Sequence, residues 1–248
     1  MMILPNPKDA IHKAWLYRLL SAIYDNKILA NSLYFKGGTC AAMLGFLDRF
    51  SIDLDFDYTG EKSKVKTTRR ELESVFSDLD LEIKDKSQKV PQYFLKYPAK
   101  PNLRNTIKID ITFPPPKSNS YRAFKLEDID RVVVCQTIET MFANKLVALM
   151  DRWEKNKAIA GRDAYDIHYF FMQGFGYNEK VIKERRKNSD LAYFFRSLIS
   201  FIDKRINETV IGQDLNFLLP PNKFRKIRKV LKKETLMFLK DELERLKR

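Results

Sequence analysis

The chain has 248 residues, of which 44% are hydrophobic and 31% charged, enough to bury one or two cores. Two cysteines (Cys40, Cys135) and two histidines (His12, His168) exclude a disulfide framework, a Cys-x-x-Cys metal pair and a His-rich metal site. With 46 basic against 32 acidic residues the net charge is +14, which favours a polyanionic partner.

No signal peptide is visible at Met1-Met2-Ile3-Leu4-Pro5, and no apolar run approaches the roughly 18 residues of a membrane span, so a soluble cytoplasmic protein is expected. Residues 5–26 read as a leading helix, with Ala14, Leu16, Tyr17, Leu19, Leu20 and Ile23 mostly apolar. Residues 33–58 read as strand, helix, strand. A Gly37-Gly38-Thr39 turn follows the apolar Leu33-Tyr34-Phe35 and precedes a helix-compatible segment. Backbone amides at such a turn suit phosphate oxygens, although a glycine pair is often only a turn. The P-loop and dinucleotide glycine patterns are both missing.

In residues 51–58, Ile52, Leu54, Phe56 and Tyr58 fall on one face and Ser51, Asp53, Asp55 and Asp57 on the other. Asp53 and Asp55 are then about 6.5 Å apart. At an effective dielectric near 20 their charges repel by roughly 2–3 kcal/mol. Open water or a bound cation relieves that, so two readings stand: an acidic solvated edge strand, or carboxylates holding divalent metal beside a triphosphate.

Further along, residues 62–79 predict an amphipathic helix, and 81–85, 93–97 and 107–113 predict strands. Between the last two lies a lid-like loop, 98–105, with Lys100 and Arg104 as candidate substrate contacts. Asp110 is the one acid on the polar face of the third of these strands. Pro114-Pro115-Pro116 forces an extended break, and residues 131–135 predict a last short strand. Beyond it the pattern is helical to the end. This places two domains, 1–135 and 136–248. Residues 222–248 carry eleven Lys/Arg against four Asp/Glu. Leu231, Leu239 and Leu243, with Met237 and Phe238, are expected to bury one side of a helix there. Lys226, Lys229, Lys233 and Lys240 are expected on the other, as a solvated face or an RNA surface, and 183–187 is a second basic stretch. Cys40 reads as a small packing residue and His168 as a core histidine.

Gly-Gly-Thr, about ten residues, then Arg49-x-Ser51-x-Asp53-Leu54-Asp55-Phe56 resembles the AbiEii/AbiGii-type nucleotidyltransferases of the DNA polymerase β superfamily. The resemblance covers nearly the whole chain. It implies an α+β fold: a polymerase β-like core of mixed sheet and helices, then a helical domain. It also implies a metal site of Asp53, Asp55 and Asp110, with Asp110 completing the site or acting as base. Mg²⁺ is the expected ion, two per site, with Mn²⁺ as a substitute. The resemblance extends to Lys145, which sits in the family's Ala-Glu-Lys-Leu setting with Asn144 replacing Glu. It extends further to an Arg-Asp-x-x-Asp motif at Arg162, Asp163 and Asp166.

Lys145 and Asp166 are thereby added to the catalytic set, Asp166 pairing with Lys145 or Arg162 to fix them near phosphates. Helix capping alone explains Asp163, and a solvated surface residue remains the other reading of Lys145. Lys36, Gly37, Gly38, Thr39, Arg49, Ser51, Arg162 and Asp163 form the expected nucleotide-binding set. Arg49 either stabilises the triphosphate or orders the loop, and Ser51 bonds either loop or phosphate. The implied activity is that of a type IV toxin moving a nucleoside monophosphate from an NTP onto a tRNA 3′ end, opposed by a cognate antitoxin. Transfer to a protein hydroxyl and a non-catalytic RNA-binding scaffold are the alternatives.

Overall fold

The structure is a computed structural model that describes residues 2–87 and 91–247. Met1, which opens the segment read for a signal peptide, and Arg248, the last of the C-terminal basic residues, lie outside the described residues. The chain divides into two compact units, Met1–Pro115 with Ser120–Thr137, and Pro116–Asn119 with Ile138–Arg248. Residues 116–119 belong to the second unit because the amides of Lys117 and Ser118 donate to the Glu184 carboxylate at 2.8 and 2.7 Å.

The first unit opens with a 3-10 turn, Pro7–Asp9, capped by the Asn6 side chain, so the leading helix α1 starts only at Ala10 and spans Ala10–Asp25. A short α2 (Lys27–Ala30) follows. The sheet is built from β1 (Leu33–Lys36), β2 (Asp53–Tyr58), β3 (Glu82–Lys86), β4 (Gln92–Lys96), β5 (Thr106–Thr112), β6 (Tyr121–Leu126) and β7 (Arg131–Gln136). Helix α3 (Gly37–Met43) joins β1 to β2, and α4 (Val65–Asp78) joins β2 to β3. Strand order is β3-β4-β5-β2-β1-β7-β6, with β2 parallel to β5 and β1 parallel to β7. The aspartate-rich strand is therefore the middle of the sheet, which removes the edge-strand reading. Its apolar face is core: Leu54, Phe56 and Tyr58 are buried, and Phe56 meets Phe35 at 5.4 Å between rings.

Strand β6 escapes the sequence reading. It is an edge strand, and only Leu126 of Tyr-Arg-Ala-Phe-Lys-Leu is buried, so its alternation is faint. Lys125 and Arg122 stay exposed there, as edge strands favour.

The second unit is helical among its described residues: α5 (Ile138–Asn156), α6 (Gly161–Met172), α7 (Glu179–Arg186), α8 (Leu191–Arg205), α9 (Glu208–Leu215) and α10 (Pro221–Arg245). Phe142 centres one aromatic cluster, with Phe170 at 5.3 Å and Phe171 at 4.8 Å. Gly161 is the first residue of α6, and a Cβ there would lie 2.7 Å from the Val210 carbonyl, so only glycine lets α6 and α9 approach so closely. In α10 the buried residues are Leu231, Thr235 and Leu239, at helical spacing. Met237 is 49% exposed, because two residues from either Thr235 or Leu239 turns it about 200° away from the packed face. Lys226, Lys229, Lys233 and Lys240 are exposed as expected. The second basic stretch is largely neutralised: Arg185 and Arg186 meet Asp151 at 2.7 and 2.9 Å, and Lys183 meets Glu179 at 3.0 Å. No helix among the described residues is long and apolar enough to cross a membrane.

Candidate active site

The β1–α3 turn is shaped by what lies against it. Gly37 has φ +79°, in the region that favours glycine, and a Cβ there would sit 2.4 Å from Asp55 Oδ2. A Cβ on Gly38 would sit 2.6 Å from Arg49 Nη2 and 3.2 Å from Ser51 Oγ. The glycine pair thus admits a carboxylate on one side and a guanidinium on the other.

Thr39 is fully buried, and its hydroxyl donates toward the Asp53 carbonyl and lies 2.8 Å from Ser51 Oγ. Arg49 is 2% exposed and donates to the Phe50 carbonyl at 2.9 Å. These placements favour the loop-ordering alternative for Arg49 and Ser51. All three order the loop that carries β2, because burial turns their polar atoms onto the protein's own backbone and one another. Gly37, half-buried, leaves backbone next to the Asp55 carboxylate.

Asp53 and Asp55 are half-buried, while the strand residues between and beyond them are packed. Across the sheet Asp55 is in register with Lys36 of β1 and with Asp110 of β5, and Asp53 with Lys108. In-register neighbours on adjacent strands are about 4.8 Å apart, so Asp110 is brought beside Asp55. Its Oδ2 accepts from Lys108 Nζ at 2.5 Å and from Gln92 Nε2 at 3.1 Å. Among the described residues no three His, Cys, Asp or Glu converge into a set able to hold a metal ion, so the three aspartates share a face without forming a closed cage. Asp53 and Asp55, hard oxygen donors next to a backbone that a side chain would fill, still fit a divalent cation.

Asp57 does not share that exposure. It is fully buried, and accepts from Lys36 Nζ at 2.6 Å, Gln136 Nε2 at 2.6 Å and the Tyr121 hydroxyl at 2.8 Å. Alternation puts Asp57 with Asp53 and Asp55, and the strands beside it cover that end of β2. Lys36 also donates to Thr112 Oγ1 at 2.6 Å, so it spans β1, β2 and β5. His12 is likewise buried, with Nδ1 2.7 Å from the Tyr97 hydroxyl and Nε2 donating to the Ile52 carbonyl at 2.9 Å. Burial pushes its pKa down from 6.5 to about 4, so the ring is neutral. Alternation in the strand and the lone His in α1 were visible signals, but which atoms meet them was not. The 98–105 loop is closed by Tyr97 N donating to Asn105 O at 2.9 Å.

In the second unit Lys145 Nζ meets Asp163 Oδ1 at 2.7 Å and Asp166 Oδ2 at 2.8 Å. Arg152 Nε meets Asp163 Oδ2 at 2.9 Å. Both carboxylates are fully buried and Lys145 is only 15% exposed, so it is not a solvated surface residue. Burial raises the pKa of Asp163, but Lys145 and Arg152 outweigh it and hold the carboxyl well below the ordinary range. No side-chain cap holds the start of α6. Asp163 lies in the first turn of α6, where an acid meets the helix dipole, and it also serves the ion pairs. Asp166 meets Lys145, and Arg162 offers its amide to Asp214 at 3.4 Å. Asn144 accepts from Arg185 at 2.7 Å and donates to Asn119 at 3.2 Å.

The profile of the nucleotidyl transferase AbiEii toxin, a type IV toxin–antitoxin component, matches residues 18–243. A solved nucleotidyltransferase-like H. pylori structure superposes with TM-score 0.61 at 20% identity, over 97% of this chain and 98% of its own. JHP933 from Helicobacter pylori gives 0.58 at 20%, over 99% and 97%. MenT4, a nucleotidyltransferase toxin from Mycobacterium tuberculosis, gives 0.55 at 15%, over 96% and 87%. At such identities these structures speak for the fold. No curated protein matches the chain closely enough to count as a relative.

Proposed function

Because the chain belongs to the AbiEii nucleotidyl transferase toxin family of type IV toxin–antitoxin systems, and is a nucleotidyltransferase, we propose that it moves a nucleoside monophosphate from an NTP to a tRNA 3′ end. The observation that carries this reading is the Gly37 backbone packed against the Asp55 carboxylate, with Asp53 on the same strand face.

Asp53 and Asp55 would hold Mg²⁺, with Asp110 beside them or acting on the acceptor hydroxyl as base. The bound metal supplies charge neutralisation for the triphosphate and the leaving pyrophosphate. The Gly37 and Gly38 amides receive phosphate oxygens. Arg49, Ser51 and Thr39 hold those amides and β2 in fixed register, so that positioning costs little at the moment of reaction. Lys36, tied to Asp57 and Thr112, fixes β1 next to them and leaves its own charge beside the site. Lys145 and Arg152, with the buried Asp163 and Asp166, act in the second unit as a charge-balanced ion cluster that keeps α5 and α6 in place. Nucleotide added to the acceptor end would block aminoacylation, in the cytoplasm and under the control of a cognate antitoxin.

The test is incubation with each of four α-labelled NTPs, Mg²⁺ and total tRNA, with Asp55→Ala alongside. Label in RNA that the variant loses is expected. Label in protein instead would replace the acceptor with a protein hydroxyl. No label in either, with NTP bound, would overturn the assignment of acceptor and site together.

A further inference from the structure

The second unit carries a recess between α5 and α8 that the nucleotide-binding residues do not use. It has a volume of about 480 Å³ and is lined by Trp153, Phe201, Tyr193, Arg196, Lys204 and Arg205, with Met150 and two serines. Its aromatic residues are not packed away. Tyr193 is 57% exposed, and Trp153 and Phe201 are half-buried and meet edge to face at 6.4 Å. One of its cations is stacked on the indole, the Arg205 guanidinium carbon 4.2 Å from the Trp153 ring centroid, and Lys157, outside the lining, has its Nζ 5.4 Å from the same ring. Among the described residues no carboxylate lines the recess. Of its cations, Arg196 has Asp190 at 3.8 Å, both more than half exposed.

We propose that this recess anchors single-stranded RNA. The chemistry narrows the occupant. Three cations and no acid exclude a cationic ligand, and three aromatics would be wasted on a simple anion. An unpaired nucleotide offers both a flat π-face and a phosphate. Bases stack on aromatic rings and on guanidinium planes, phosphates meet arginine and lysine, and the Ser200 hydroxyl is available to a ribose 2′-OH. A recess of this size admits a splayed nucleotide and excludes a duplex. Such stacking is sequence-tolerant, so the site holds an RNA end or loop without reading it. The inference rests on the reading that the acceptor is RNA, and it concerns binding alone.

The chain has two tryptophans, Trp15 and Trp153, so Trp15→Phe leaves Trp153 as the reporter inside the recess. In that background, with saturating NTP, the emission is titrated with an unstructured RNA of about ten nucleotides ending in CCA. Quenching that saturates is expected. Arg196→Glu with Lys204→Glu is expected to weaken binding by about tenfold or more. Tyr193→Ala is expected to weaken it about fivefold or more. Both variants change exposed side chains, and an unchanged far-ultraviolet spectrum and melting temperature checks their fold. Absence of quenching, equal affinity for a duplex, or undiminished affinity in both variants overturns the proposal. Transfer to tRNA without quenching removes this site and leaves the reaction. Quenching by RNA with label in protein keeps the site and removes the acceptor.

Discussion

At the scale of single residues, the site depends on contacts that tolerate no atom more. Gly37 combines a positive φ with a virtual Cβ 2.4 Å from Asp55 Oδ2, so alanine there strains the backbone and displaces the carboxylate together. Gly37→Ala is expected to cost about 1–3 kcal/mol of stability and to cut kcat by about a hundredfold or more, given how steeply rate depends on placement. Asp55→Asn removes charge without bulk, so it should abolish transfer while leaving the melting temperature within a few degrees. Full activity in Gly37→Ala would show that the carboxylate position does not matter.

Lys145 is a different case. It bridges two fully buried carboxylates, and breaking a buried pair leaves an uncompensated charge. Lys145→Met is expected to lose about 3–5 kcal/mol in chemical denaturation. Asp166→Asn added to it should recover part of that, because one of the stranded charges is gone. A Lys145→Met variant that denatures like the parent but loses NTP affinity would instead place Lys145 in phosphate binding.

At the scale of elements, α1 is fastened to the start of β2 by one histidine. Nε2 of His12 donates to the Ile52 carbonyl, next to Asp53, so the ring holds the site strand as well as the core. A neutral ring is required, because burial has pushed its pKa from 6.5 to about 4. The unfolded chain takes up a proton near pH 6.5 and the folded chain only near 4. The stability this group contributes is therefore complete above 6.5 and is lost as pH falls from there through 4, by up to about 3 kcal/mol. Denaturation midpoints measured from pH 7 to 4 should fall more for the parent than for His12→Gln. Parallel curves would remove His12 as the cause.

The same elements show where the sequence was legible. Alternating Leu54, Phe56 and Tyr58 announced β2, and the order Gly-Gly-Thr, Arg-x-Ser, Asp-x-Asp announced the site strand and the turn before it. Helical periodicity announced the second unit. What stayed hidden depends on contacts from elsewhere in the chain. Asp57 belongs to the same alternation as Asp53 and Asp55, and only the pairing of β1 and β7 with their neighbours buries it. Edge strand β6 has too few buried positions to alternate visibly. Arg49 reads equally as a triphosphate contact or a loop residue, and only the structure shows Gly38 pressed against its guanidinium.

At the scale of the whole molecule, the relevant quantity is the charge. The chain carries +14, and α10 alone presents Lys226, Lys229, Lys233 and Lys240 to solvent. Part of this charge is already neutralised: the basic run in α7 is paired with Asp151, Glu154 and Glu179. The charge left unpaired by acids is the part free to displace counterions from a polyanion. If tRNA is the acceptor, its affinity should fall linearly on a log–log plot against salt, with a slope of about −0.7 for each single-strand phosphate neutralised. Three contacts then lower affinity by about tenfold or more between 50 and 200 mM KCl. Charge reversal of Lys226 with Lys229, far from the aspartates in sequence and on an exposed helix face, should reduce that slope without altering the melting temperature. A protein acceptor of ordinary charge would show neither the steep slope nor its reduction. The slope therefore decides between acceptor classes independently of whether the chemical step has been reconstituted.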